Sequence, residues 1–286
     1  MIKIIPLFLA TVAITASTLP LTAQVKTPAP SPASELKQTI GITDFTVAYS
    51  RPSVKERDIY GELVPYGSVW RTGANAPTKI TFDSEITFGD KKVPAGEYIL
   101  FTIPGDDQWT VILYGDTEIS GAGLYDEKND VARVTVKPEE LDDEVETFTI
   151  GFDDLRDDSA TLFLDWDDVR VPVPITIDTN ALSGASLEAA LKSIDTWTAR
   201  DYANASDYYV ANNKDLAQAT EWMKKAAEMN KNAFWWQYAY AALLAKQDKK
   251  QEAIAATETA LATAKAAPGG ASGYVKKCED LLAKLK

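Results

Sequence analysis

The sequence predicts a two-part protein, in which an antiparallel β-sandwich is followed by a short module of helical repeats. About nine short runs of strand character, with turn signals every eight to twelve residues, occupy the first part. After residue 179 the hydrophobic period becomes helical. The charge balance changes at the same place, since residues 35–178 carry 30 acidic and 13 basic side chains and residues 179–286 carry 12 and 14. Such different balances predict two domains.

Composition limits the classes of function. The chain has 286 residues, of which 45% are hydrophobic and 25% charged, as in folded globular proteins. A net charge of −13 argues against nucleic acid and against an anionic membrane surface as partners. The sequence contains no histidine, which removes Ser-His-Asp and Cys-His nucleophiles and histidine zinc sites. The one cysteine, Cys278, cannot form an intrachain disulfide. We therefore predict no catalytic residue, no metal site and no cofactor.

Residues 1–23 have the pattern of a secretory signal peptide, with a basic start at Lys3, an apolar core and a small residue at Ala23. The alternative is an N-terminal membrane anchor, but the apolar run is shorter than the roughly 18–20 residues that a span requires. We predict a mature protein without a membrane span, located in the periplasm or secreted. Residues 24–34 are rich in Pro, Ala and Ser and are predicted to form an extended linker.

The β-sandwich domain is predicted at residues 35–178. Its strands are recognised by short apolar alternation, and Gly, Pro and Asp clusters separate them. The predicted strands are residues 46–50, 79–82, 85–88, 97–103, 109–114, 131–136, 146–152, 160–166 and 169–177. Residues 89–92 are predicted to form a turn.

A helical module is predicted at residues 185–286. Ala219 aligns with Ala253, and Ala226 with Ala260, so a segment recurs after 34 residues. This is the period of tetratricopeptide repeats, in which small residues recur where helices press together. Residues 274–285 are predicted to form a capping helix. Six aromatic residues on these helices are predicted to pack between domains or to contact a protein partner: Trp222, Phe234, Trp235, Trp236, Tyr238 and Tyr240.

The stretch VPYGSVWRTGANAPT, residues 64–78, concentrates side chains suited to binding. Arginine matches carboxylates, phosphates or vicinal hydroxyls; tryptophan and tyrosine offer flat apolar faces; asparagine donates and accepts hydrogen bonds. The sequence predicts a site for a small anionic or carbohydrate-like ligand, formed by Arg51, Tyr66, Trp70, Arg71, Thr72 and Asn75. The alternative is structural: the two arginines pair with nearby carboxylates while the tryptophan fills the core.

Acidic residues cluster in two predicted turns, residues 153–158 and 165–168. Clustered carboxylates in an exported β protein can hold calcium, but neither turn has the spacing of an EF-hand loop, and solvated surface charge is the alternative. A glycoside hydrolase would need two carboxylates about 5–10 Å apart across a cleft, which an acid-rich sequence does not specify.

Several words in the β part resemble the domain-of-unknown-function 2911 family. They are YSRP at residues 49–52, LVPYG at 63–67, VWRTGAN at 69–75, PAGEY at 94–98, FTIP at 101–104 and WTVI at 109–112. The resemblance extends over residues 38–177 and implies an exported β domain, which in some members precedes a tetratricopeptide-like tail. It implies no reaction.

The leading hypothesis is therefore a non-catalytic envelope protein that binds a small anionic or carbohydrate-like ligand and contacts a protein partner through its helices. Two alternatives remain at this stage. One is a structural or assembly protein that acts through its helical repeats. The other is a carboxylate-dependent hydrolase.

Overall fold

A computed structural model describes residues 27–286 of the chain. The predicted signal peptide and the start of the predicted linker lie outside this range. Within it, two antiparallel β-sheets are followed by six α-helices, which confirms the predicted fold class.

The larger sheet has six strands in the order β1-β2-β3-β6-β7-β8, and every neighbouring pair is antiparallel. The strands are β1 (Ala33–Ile40), β2 (Thr43–Ser50), β3 (Thr78–Phe82), β6 (Gly96–Ile103), β7 (Trp109–Tyr114) and β8 (Asp130–Val136). The smaller sheet has the order β5-β4-β10-β9, with β4 (Ile86–Phe88), β5 (Lys91–Val93), β9 (Glu139–Asp153) and β10 (Ser159–Thr176).

The core lies between the two sheets and contains side chains from both. Alternation in β2 turns Phe45, Val47 and Tyr49 inward and leaves Ala48 exposed on the other face. Aromatic rings fill much of the core, and Trp109 and Trp166 are among its largest fully buried side chains.

The outer face of the larger sheet is only partly covered. Ile99, Phe101, Ile112 and Tyr114 are buried there beneath residues 119–125. The covering segment is fastened because the Tyr125 hydroxyl donates to an Asp130 carboxylate oxygen at 2.8 Å. Toward β1 and β2 the same face carries small side chains instead, which leaves a hollow.

The predicted elements of the β part differ from the structure at three places. Residues 33–40 form an edge strand that was not predicted. Of the predicted turn at 89–92, Gly89 and Asp90 form a turn between β4 and β5, whereas Lys91 and Lys92 belong to β5. The predicted strands 160–166 and 169–177 form one strand, β10, whose ladder is irregular around Asp167. Asp167 has a φ of 57°, and the acidic residues that predicted a turn lie in a β-bulge within one continuous strand.

The helices are α1 (Thr179–Leu191), α2 (Ala199–Ala211), α3 (Leu216–Met229), α4 (Phe234–Lys246), α5 (Lys250–Ala266) and α6 (Ser272–Leu285). Successive helices pack against one another, and α4 also contacts α6. The four alanines that define the 34-residue spacing, Ala219, Ala226, Ala253 and Ala260, are fully buried. No helix within residues 27–286 is long and apolar enough to cross a membrane.

The helical part begins directly after the sandwich. β10 ends at Thr176 and α1 begins at Thr179, earlier than residue 185. The Asp178 carboxylate caps α1 by accepting from the Ala181 backbone N–H at 2.9 Å. The Thr179 hydroxyl donates to the Asp157 carbonyl oxygen at 2.6 Å, and Leu182 packs against the sandwich core. The division into domains stays a prediction.

Candidate functional site

The stretch at residues 64–78 connects β2 to β3 and runs along the end of the larger sheet. Trp70 forms an isolated antiparallel bridge with Thr102, through backbone hydrogen bonds of 2.7 and 3.0 Å. β3 pairs with β6 only as far as Leu100. The stretch therefore pairs with β6 beyond the N-terminal end of β3 and extends the sheet there.

Trp70 contributes its ring to the sandwich core. The ring stacks on Trp166, with centroids 5.8 Å apart and an angle of 16°, and its edge contacts involve Trp109 and Phe148. Its Nε1–H donates to the carbonyl oxygen of Gly73 at 3.2 Å. These contacts are those of a structural tryptophan.

Three positions after Trp70 have left-handed backbone conformations: Thr72 at φ 56°, Gly73 at 139° and Asn75 at 60°. Thr72 is completely buried, and its hydroxyl lies 3.1 Å from the Thr102 hydroxyl. Its carbonyl oxygen accepts a hydrogen bond from the Thr78 hydroxyl. Asn75 is exposed, and the sharp turn therefore separates a buried half from a solvent-facing half of the motif.

Arg51 joins the two sheets. Its Nε donates to the Phe148 carbonyl oxygen at 2.9 Å, and its Nη2 donates to the Thr149 hydroxyl at 2.6 Å. Both acceptors belong to β9, in the smaller sheet. Arg51 is half-buried and makes no ion pair within residues 27–286. Its hydrogen bonds are therefore used to fasten β2 to β9.

Arg71 has a different position. Its Nη1 donates to the Asn75 carbonyl oxygen at 2.6 Å, and its Nη2 lies 3.5 Å from the position that a Cβ on Gly121 would take. In the described part of the chain no carboxylate oxygen lies within 4.0 Å of this guanidinium. The predicted pairing of Arg71 with carboxylates does not occur, and Arg51 and Arg71 share no hydrogen-bond partner.

Tyr66 lies on another part of the surface. The residue is 46% exposed, and its ring packs beside Gly61. Partial burial, together with the charges of Asp106 and Asp168, raises the pKa of its hydroxyl. No hydrogen bond within residues 27–286 joins the Tyr66 side chain to Arg71 or Asn75.

A cleft of about 510 Å³ opens beside the solvent-facing half of the motif. We call it the sheet cleft. Its floor is the uncovered part of the outer sheet face, where the small side chains of Ala33, Ala48 and Ser50 leave space, and its walls include Asn75, Lys79 and Ser120. The hollow has the size of many small-ligand sites, which range over roughly 300–1,000 Å³.

Polar groups converge on the sheet cleft. Asn75 Nδ2 donates to the Ser50 hydroxyl and to the Ser31 carbonyl oxygen, each at 3.2 Å. The Lys79 ammonium at the wall pairs with Glu97 at 2.7 Å. Because Arg71 lies between Asn75 and Gly121, the neighbour of Ser120, its guanidinium stands at the rim. No Asp or Glu side chain is among the described residues that line this cleft.

Of the six predicted site residues, only Asn75 lines the sheet cleft and Arg71 adjoins it. Lys79, Ser50 and Ser120 were missed. The alternation of β2 could have identified Ser50, because Ala48 and Ser50 occupy the face opposite to Val47 and Tyr49. Ser120 carries no signal in the sequence, since its place depends on how a long connection folds over the sheet.

The acidic segments have separate roles. The Asp165 carboxylate is buried and accepts two hydrogen bonds from Arg170, each at 2.8 Å. Burial, followed by the charges of Asp168, Glu144 and Asp58, raises the pKa of Asp167. Within residues 27–286 no group of three or more acidic or cysteine side chains is arranged to hold a metal ion.

The fold and the sheet cleft define a class of protein: a two-sheet β protein with a helical tail and a ligand-sized hollow on the outer face of its larger sheet. The chain belongs to the domain-of-unknown-function 2911 family, because the family model described as "Protein of unknown function (DUF2911)" matches residues 31–175. The resemblance inferred from the sequence words is thus confirmed. A search of curated proteins returned no match.

Proposed function

We propose that this protein is a non-catalytic binding protein of the cell envelope. Its β domain binds a small ligand that carries a carboxylate or several hydroxyl groups, and its helices contact a protein partner. The observation that supports ligand binding is the sheet cleft, with the Arg71 guanidinium at its rim and no carboxylate paired to it within residues 27–286.

The chemistry of the cleft favours an anionic or polyhydroxylated ligand over a purely apolar one. Arg71 retains donors beyond its bond to Asn75, and a guanidinium binds carboxylates through paired N–H donors. Ser50, Ser120 and Asn75 add groups that donate or accept hydrogen bonds, as sugar hydroxyls require. The carboxylate-dependent hydrolase has less support, because no acid pair lines this cleft.

Replacing Arg71 with alanine is expected to weaken ligand binding at least tenfold, because one charge-assisted contact contributes about 1.5–3 kcal/mol. Glucose, glucuronate and citrate are suitable probes, measured by calorimetry on the mature chain. The melting temperature should stay within about 2 °C, since the one side-chain hydrogen bond of Arg71 within residues 27–286 is solvent-exposed.

The matched control is Arg156→Ala, which removes an exposed arginine whose side chain, within residues 27–286, bonds only the neighbouring Leu155 carbonyl oxygen. It should leave probe binding unchanged. Equal weakening by both substitutions would attribute the effect to net charge, and a large fall in the melting temperature of the Arg71 variant would show a structural role.

Export rests on the sequence pattern of residues 1–23. We expect cleavage after Ala23, so intact mass spectrometry of the protein purified from its native envelope should give a chain that begins at Gln24. A full-length chain retained in the membrane fraction would support the N-terminal anchor instead.

The protein-contact role of the helices is supported by exposed apolar side chains at the α3–α4 connection. Met229 is 56% exposed and Trp235 is 40% exposed. Tryptophan is among the residues that contribute most to protein interfaces. The structural or assembly hypothesis would use the same surface, and it differs in needing no ligand in the sheet cleft.

A further inference from the structure

The helical part contains a groove of about 440 Å³ between α3 and α5. We call it the helix groove. The helix α4 packs against both α3 and α5 and forms the floor. The groove is lined mainly by Ala227, Ala256, the Thr259 and Thr263 side chains and the ring of Tyr240. In the predicted repeats α3 and α5 are equivalent helices, so the groove follows from the 34-residue spacing.

One polar group in this groove lacks a partner. Gln237 is only 9% exposed, and its Nε2 donates to the Lys231 carbonyl oxygen at 2.8 Å. Its buried Oε1 has no donor among the described residues. If the Gln237 side-chain amide were flipped, its Oε1 would face the Lys231 carbonyl oxygen, and two acceptors would oppose each other. The hydrogen bond to Lys231 therefore fixes the orientation of the amide. A buried acceptor without a donor is destabilising, and an entering N–H group would satisfy it.

The rim of the groove is charged. Lys224 and Lys231 line it, and neither ammonium lies within 4.0 Å of a carboxylate in residues 27–286. Lys224 is half-buried against the groove, beside Tyr240. Glu228 also lines the groove, so the three charged side chains of the lining sum to one positive charge; Glu221 and Glu252 lie near Tyr240 but outside this lining. An unpaired, half-buried ammonium favours an anionic partner group.

We propose that the helix groove binds a peptide segment of a partner protein in which an apolar side chain is flanked by acidic residues. This inference rests on the proposed protein-contact role of the helices and gives it a place and a chemistry. The apolar side chain packs against the alanine and threonine side chains that α3 and α5 present to the groove. A backbone N–H of the segment donates to Gln237 Oε1, and the acidic side chains pair with Lys224 and Lys231. A peptide supplies all three kinds of group together, whereas a fatty acid offers no N–H donor.

The test uses the mature full-length chain and two capped octapeptides, one alternating leucine with aspartate and the other alternating leucine with lysine. In calorimetry the acidic peptide is expected to bind saturably and at least tenfold more tightly than the basic one. The double substitution Lys224→Glu with Lys231→Glu should weaken the acidic peptide at least tenfold. Gln237→Leu should weaken it about fivefold, with the lysines intact.

The matched control is Lys246→Glu with Lys284→Glu, two exposed lysines of the same module that do not line the groove. It changes the net charge equally and should leave peptide binding unchanged. The proposal is overturned if the basic peptide binds as well, if the acidic peptide does not bind, or if both double variants weaken binding alike. Self-association of the chain that is lost only in the groove variant would identify a second copy as the occupant and would also overturn it.

The two proposed sites can fail separately. Binding of glucuronate or citrate at the sheet cleft should be the same in the groove variant and in the unmodified chain. If the acidic peptide binds but the groove substitutions do not affect it, the protein-contact role survives at another surface and the groove assignment is wrong.

Discussion

Replacing Trp166 with alanine is expected to lower the free energy of unfolding of the β domain by about 3–5 kcal/mol, the range for large aromatic truncations in cores. Trp166 is 1% exposed and lies where several aromatic residues meet. Its ring stacks on Trp70 and makes edge contacts with Phe148 and Tyr60. Chemical denaturation followed by circular dichroism at strand wavelengths measures the effect.

Trp166→Phe is the matched control. The indole Nε1–H of Trp166 is buried and has no acceptor within residues 27–286. Phenylalanine removes this unsatisfied donor while retaining an aromatic ring, so the expected loss is about 1 kcal/mol or less. A loss in the phenylalanine variant as large as in the alanine variant would mean that the indole N–H is satisfied and that the packing described for Trp166 is incomplete.

Replacing Gly73 with alanine is expected to destabilise the β domain by about 2–3 kcal/mol, because its φ of 139° is a conformation that side chains with a Cβ rarely adopt. There is also too little space around Gly73 for a Cβ atom. A Cβ at this position would lie 2.9 Å from the Ser50 carbonyl oxygen and 3.2 Å from the Thr78 hydroxyl. Movement of Gly73 would also disturb its hydrogen bond with Trp70. Thermal and denaturant unfolding measure the effect.

Gly67→Ala tests whether crowding contributes beyond backbone conformation. Gly67 also has a positive φ, of 71°, but no atom lies within 4 Å of the position of an added Cβ. Its replacement should cost only about 1 kcal/mol, the cost of a left-handed conformation. Equal losses at both positions would show that the close approach of Gly73 to Ser50 is relieved by a small shift.

The VWRTGAN word has a structural half and a solvent-facing half. Trp70, Thr72 and Gly73 hold the sheet end together through the core and through backbone contacts. Asn75 lines the sheet cleft, and Arg71 adjoins it. Most of the word is therefore explained by folding, and the proposed binding role is confined to the two polar side chains at its surface.

Local patterns predicted much of the architecture. Alternation of buried and exposed residues marks β2, and the 34-residue alanine spacing marks the equivalent helices α3 and α5. The alternation and the alanine spacing depend on the geometry of a single strand or of one helix pair. They can therefore be recognised in a short window of sequence. The edge strand β1 was missed because it has only one neighbouring strand, and such strands tolerate polar residues on both faces.

By itself, the sequence determined the order of a β part and a helical part, the family, and which stretch holds the unusual residues. Only the tertiary structure decided what those residues do. Arg51 fastens β2 to β9 through Phe148, 97 positions away, and no local pattern reveals that acceptor. The sheet cleft likewise joins β1–β2, the segment around Asn75 and the connection at Ser120. Contacts between distant segments depend on which strands become neighbours, and that is settled by packing of the whole sandwich.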